Sequence, residues 1–162
     1  MNRIDEGVVS RSQEKMELLL RSLARNESTT ASGAVLRSDM EGIDRETLDE
    51  HTVADYLDVF RRLFLVDDQP PFSWKLRSSI RLKQSAKRHL ADPSLAVALL
   101  KATPKKLLND LNTLGFLFEA MVERDLRIYC ESWGGELYHY QDYKNREVDA
   151  VIEMPDGGWC AI

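Results

Sequence analysis

Apolar positions along the chain recur at helical spacing in its first third. Met16, Leu19, Leu20 and Leu23 form one stripe, with Ser10 or Ser12 as the expected cap. Asn26 to Ser32, rich in Ser and Thr, reads as a loop. Ala34, Val35, Leu36 and Met40 predict a second short helix that Gly42 breaks. The clearest stripe is Val53, Tyr56, Leu57, Phe60, Leu63 and Phe64, which predicts a third helix capped by Asp49 or by a Thr47–Glu50 capping box. Pro70 and Pro71 stop that helix and favour an extended path. From Phe72 to Leu90 the pattern changes to weak alternation around Leu76, Ile80 and Leu82, the signature of a β-hairpin or ribbon.

Asp92-Pro93 marks a turn and the expected boundary between two regions, 1–92 and 93–162. Ser94 to Leu100 predicts a short helix. A longer helical pattern starts near Lys105 and runs, with room for a break, through Leu114, Leu117, Phe118, Met121, Val122, Ile128 and Tyr129 to Gly134-Gly135. Leu137–Tyr140, Val148–Ile152 and Trp159–Ile162 read as strands, the last two joined by a Pro155-Asp156-Gly157-Gly158 turn. The fold class that follows is α+β: a winged-helix-like helical region with a hairpin, then an αβ region.

Composition limits the function. With 162 residues, 43% of them apolar and 30% charged, the chain can bury a core. No apolar run approaches the roughly 20 residues of a membrane span, and the polar first fifteen residues do not resemble a secretory signal. Cys130 and Cys160 form no Cys-x-x-Cys pair and read as reduced thiols of a cytoplasmic protein. The net charge of −5 argues against a protein that coats nucleic acid over its whole surface. The charge is segregated, however. Eight acids lie between Asp39 and Asp58, whereas Phe72 to Ala91 holds Lys75, Arg77, Arg81, Lys83, Lys87 and Arg88 and no acid. Those six bases are the candidate nucleic-acid contacts, weak ones to backbone phosphates of DNA. The third helix carries Asp49, Glu50, Asp55 and Asp58 and is poorly suited to the major groove.

Catalytic motifs are largely missing. There is no P-loop, no Gly-x-Ser-x-Gly elbow and no His-Glu-x-x-His, and His51, His89 and His139 share no metal-ligand spacing. One constellation remains. Glu119 lies at the edge of the long helix's apolar stripe. Asp149 lies in a strand whose Val148, Ala150 and Ile152 share the opposite face, which leaves Asp149 beside Glu147. A helix carboxylate and a strand carboxylate can converge on one hard cation such as Mg²⁺.

The runs Gly115-Phe-Leu-Phe-Glu119-Ala-Met-Val122, Tyr138–Tyr140, Arg146-Glu147-Val-Asp149 and the strand at Trp159 resemble the C-terminal domain of unknown function of bacterial and archaeal AAA-type ATPases. That domain resembles PD-(D/E)XK nucleases in fold. Thr52-Val53, Tyr56-Leu57 and Leu63–Val66 with Pro70-Pro71 resemble the winged-helix-like region that precedes it, and Lys87–Ala96, with Ala91–Leu95, resembles the link between the two. The resemblance implies that Glu119 and Asp149 are the helix acid and central acid of a nuclease-like core. It also implies a Glu-x-Lys on the strand after Asp149, and the sequence stops at Ile162 before that motif. The expected function is therefore a non-catalytic accessory region of an ATPase-related protein that requires no cofactor. Its expected partners are weakly held DNA, and a protein or second copy at the open sheet edge. A Mg²⁺-dependent nuclease and a pure protein-interaction module are the alternatives.

Overall fold

A computed structural model describes residues 3–73, 85–144 and 146–162. The elements are α1 (Arg3–Arg25), α2 (Gly33–Asp39), a π-helical turn (Met40–Asp44), α3 (Glu50–Arg62), α4 (Pro93–Leu99), α5 (Pro104–Asn109), α6 (Leu111–Ser132), β1 (Glu136–Gln141), β2 (Glu147–Glu153) and β3 (Trp159–Ala161). The architecture is α+β, as the hydrophobic pattern predicts.

Local chemistry sets most helix ends. Ser32, Asp49, Asp92, Thr103 and Asp110 each accept a backbone N–H from the first turn that follows. Pro93 and Pro104 occupy first-turn positions, where their missing N–H costs nothing. Three ends differ from expectation. The first helix begins at Arg3, so Ser10 and Ser12 lie within it. Gly42 does not break the second helix; it sits inside the π-helical turn, and the chain reverses at Arg45, whose φ is 56°. Arg25 braces that turn by binding Asp39 and Asp44 at 2.7 and 2.6 Å. The stripe on α3 also runs out early. The helix ends at Arg62, and Leu63 and Phe64 project outward, Phe64 with φ 55°.

The main core gathers Leu19 and Leu23 of α1, Leu36 and Met40, Val53, Leu57 and Phe60 of α3, and Val66 and Leu90. Ala96 of α4 and Leu117 of α6 belong to the same cluster, so this core continues past the expected boundary at Asp92. A smaller core forms where Leu126 and Cys130 of α6 meet Leu137, Ala150 and Ile152 of the sheet. The sheet is antiparallel in the order β1-β2-β3.

A ladder of main-chain bonds joins the two cores. Segment 65–69 runs antiparallel to 87–91, with Asp67 N donating to His89 O and Gln69 and Lys87 exchanging both bonds at 2.9 Å. On its other side, segment 87–91 meets Ser28 and Thr29 through Arg88. Pro70 to Phe72 then lies along the edge of β1 at His139. The partner of 87–91 is thus 65–69, which precedes the expected 72–90 hairpin; the middle of that hairpin, with Lys75, Arg77, Arg81 and Lys83, lies outside the described residues. Leu36 of α2 is fully buried in the main core. Leu36→Ala is expected to cost about 2–5 kcal/mol, read as a lower urea midpoint with an unchanged denaturant slope.

Candidate functional site

Glu119 and Asp149 do come together, and the group between them is the Lys87 ammonium. Lys87 Nζ lies 2.6 Å from Glu119 Oε1, 2.8 Å from Asp149 Oδ1 and 3.0 Å from Glu147 Oε1. Three elements are thus joined at one point: α6, β2 and the 87–91 segment. The lysine side chain is 3% exposed, whereas Glu119, Glu147 and Asp149 are 23%, 39% and 59% exposed. The stem is therefore enclosed, and the charged end meets carboxylates that remain partly wet. Burial works against the charged lysine. The hydrogen bonds and charges of Asp149, Glu119 and Glu147 outweigh it and hold the Lys87 pKa above the ordinary lysine range. The Glu119 pKa also rises, because its own burial outweighs the pull of Lys87.

This placement changes the reading of the basic segment. Lys87 and Arg88 were expected among six bases facing a phosphate backbone, and both are engaged internally. Arg88 Nε donates to Ala31 O at 3.0 Å, and its Nη1 pairs with Asp68. The cause is the ladder itself. Alternation along an extended segment sends Lys87 and His89 to one side and Arg88 to the other. Each side is already covered by α6, by the sheet or by the loop at Ser28. Spacing within one segment carries no information about what covers it.

Gln69, which the proline-rich stretch obscured, is the second organising residue. It is fully buried, and its Nε2 donates to Tyr138 O at 3.1 Å and to Asp149 O at 2.9 Å. These carbonyls flank the point where the β1–β2 register shifts between Tyr138 and Tyr140. A bulge leaves backbone groups without ladder partners, and the Gln69 amide satisfies two of them. It thereby helps fix the backbone of Asp149. His139, on the same bulge, is fully buried and shares a 3.0 Å hydrogen bond through Nε2 with Ser85 O.

One further buried pair lies two residues from Lys87. The Glu27 carboxylate accepts the Leu90 N–H at 3.0 Å and touches His89 Nδ1 at 3.4 Å, with both side chains almost fully buried. Burial, with the nearby charges of Glu123, Glu119 and Asp68, raises the Glu27 pKa to about 8. Burial and the charges of Lys87 and Arg127 lower that of His89 to about 3. Glu123 is raised by burial against the pull of its partner Arg127. Among the described residues, no group of three or more His, Cys, Asp or Glu side chains is arranged to hold a metal ion.

Residues 6–106 match the family model described as Domain of unknown function (DUF8612). The chain belongs to that family. The match spans α1 to α5 and includes Gln69, Lys87 and the Glu27–His89 pair; Glu119, Glu147 and Asp149 lie beyond it. No curated protein and no solved structure matches the chain. Within the family segment, then, lies the cation, and outside it lie the anions that hold it.

The Glu27–His89 pair has a pH signature. Folded Glu27 keeps a proton that the unfolded chain releases between about 4.5 and about 8, so its effect is a loss of stability as pH rises through that window. Folded His89 refuses a proton that the unfolded chain takes up below 6.5, so its effect is a gain of stability as pH rises from about 3 to 6.5. The two oppose one another between 4.5 and 6.5, which leaves a net decline from 6.5 to 8. Glu27→Gln keeps an acceptor for Leu90 and removes the titrating acid. Urea midpoints at pH 6.5 and 8 are expected to converge in this variant and to differ in the parent.

Proposed function

We propose that this chain is a non-catalytic accessory binding region, and that the carboxylates once expected to form a cation site act as a clasp for Lys87. The observation that carries this reading is the ammonium itself, held at 2.6–3.0 Å by Glu119, Asp149 and Glu147. A divalent cation recruited by Glu119 and Asp149 would have to displace a lysine whose stem is enclosed by the fold. Its charge would also lie against that ammonium. The resemblance of Gly115–Val122 and Arg146–Asp149 to the nuclease-like domain of AAA-type ATPases supports a more specific assignment, to an ATPase-related protein. Weak DNA contact falls to Lys75, Arg77, Arg81 and Lys83, because Lys87 and Arg88 are committed elsewhere.

Purified chain incubated with plasmid and linear DNA and Mg²⁺ or Mn²⁺ is expected to leave both intact. Cleavage that disappears in Asp149→Ala would establish the nuclease alternative instead. Lys87→Met removes the clasp and leaves three carboxylates facing one another. It is expected to destabilise the fold by about 1–3 kcal/mol, between the values of exposed and enclosed ion pairs. The loss should shrink as pH falls and the acids protonate. Duplex titration at low salt separates the DNA reading: neutral replacements at Lys75, Arg77, Arg81 and Lys83 should weaken any binding, and binding that survives them would exclude the ribbon.

A further inference from the structure

Helix α6 has a second apolar face, away from both cores. Its inward side is carried by Leu117, Ala120, Glu123 and Cys130, all buried. On the outward side Leu111 is 68% exposed, Phe118 60%, Met121 39% and Ile128 58%. With the half-buried Leu114 these positions run 111, 114, 118, 121 and 128, and Asp125 takes the one remaining step. The steps alternate three and four residues. That is the narrow seam of paired helices, not the broader stripe with which a helix lies on a globular core. A surface helix ordinarily turns charge outward; this one is about 33 Å long and presents apolar side chains along most of that length.

We propose that this seam pairs with the same seam of a second copy of the chain, antiparallel, about a two-fold axis near Phe118 and Met121. Three observations favour a second copy. First, the area is sufficient. Large side chains present roughly 150–250 Å² each, so the quoted exposures, with Tyr129 at 58%, amount to on the order of 500 Å² per copy. Buried on both copies, that reaches the roughly 1,000 Å² at which specific interfaces begin. Second, the seam is self-complementary. In an antiparallel pair each first-position residue faces a fourth-position residue. Phe118 then meets Met121 of the second copy, and Leu111 meets Ile128. Gly115, on the flank, has no atom within 4 Å of where a Cβ would stand, so the neighbouring helix can approach closely there.

Third, the single acid sets the direction. In a parallel pair the two Asp125 carboxylates would face each other in the seam, desolvated and of like charge. In the antiparallel pair Asp125 faces Leu114, and the two acids lie about 16 Å apart along the axis. Asp125 also brings its own counter-ion. Arg124 Nη2 lies 2.8 Å from Asp125 Oδ1, and the same guanidinium pairs with Asp92 through Nη1. This surface is distinct from the face that carries Glu119, so the inference stands apart from the clasp.

Sedimentation velocity across the micromolar range tests it on the full chain. The expected result is a concentration-dependent monomer–dimer equilibrium. Phe118→Glu and Met121→Lys, both at exposed positions, should each raise the dissociation constant at least tenfold with unchanged circular dichroism and urea midpoint. Asp125→Asn reports direction: a change of less than about threefold supports the antiparallel pair, and a tenfold tightening would overturn it. A monomer at every concentration would overturn the proposal. So would a dimer indifferent to Phe118 and Met121 but lost in Ala161→Pro, at a position whose N–H points away from β2, since that places the interface on the edge of β3.

Discussion

The Lys87 ammonium is the point on which the rest of the structure turns. Its main chain pairs with Gln69 in the central ladder. Its side chain reaches α6 through Glu119 and β2 through Glu147 and Asp149. A charge whose stem is removed from water needs several acceptors, and here each acceptor comes from an element that the ladder alone would not position. The clasp therefore couples the helical core to the sheet. The Gln69 amide, bonded to the backbone of Tyr138 and Asp149, holds the same junction by neutral hydrogen bonds.

Around this junction lies an unusual concentration of buried ionisable groups. Glu27, His89, Glu123 and His139 are all buried, and none is far in sequence from a member of the clasp or the ladder. Their charges act on one another: Lys87 and Arg127 disfavour a charged His89, and Glu119 and Glu123 disfavour a charged Glu27. Neutral Glu27 and neutral His89 can share an interior that two uncompensated charges could not. The segment that lies within the family match thus supplies a polar interior whose electrostatic balance is completed by α6 and β2, outside the match.

Long helix α6 serves two environments. Its inner face packs on the sheet through Leu126 and Cys130 and on the helical core through Leu117. Its outer face is as apolar as many core faces, yet it is exposed. The pattern running through Leu114, Leu117, Phe118, Met121, Val122, Ile128 and Tyr129 predicted a helix correctly. Most of these side chains lie on the outward side, however, and the inward side joins Leu117 to smaller and more polar residues, Ala120, Glu123 and Cys130. Hydrophobicity identified the helix but does not tell its core face from its exposed one, because a salt-bridged Glu123 and small Ala120 are buried while Phe118 and Ile128 are exposed.

By itself the sequence determined the α+β class, most helices and strands, Asp49 as one of two caps offered for α3, the turn at Asp92-Pro93 and the carboxylate pair at Glu119 and Asp149. These follow from periodicity, capping chemistry and the alternation of a strand, all of which act over a few residues. Only the tertiary structure decided what the pair holds. Lys87 stands 32 residues before Glu119 and 62 before Asp149, in a segment whose charge suggested solvent and phosphate. Nothing local distinguishes a lysine that faces water from one that three distant carboxylates enclose. That distinction arises only when the ladder, the helix and the sheet converge, because electrostatic partnership depends on distance in space and not on separation along the chain.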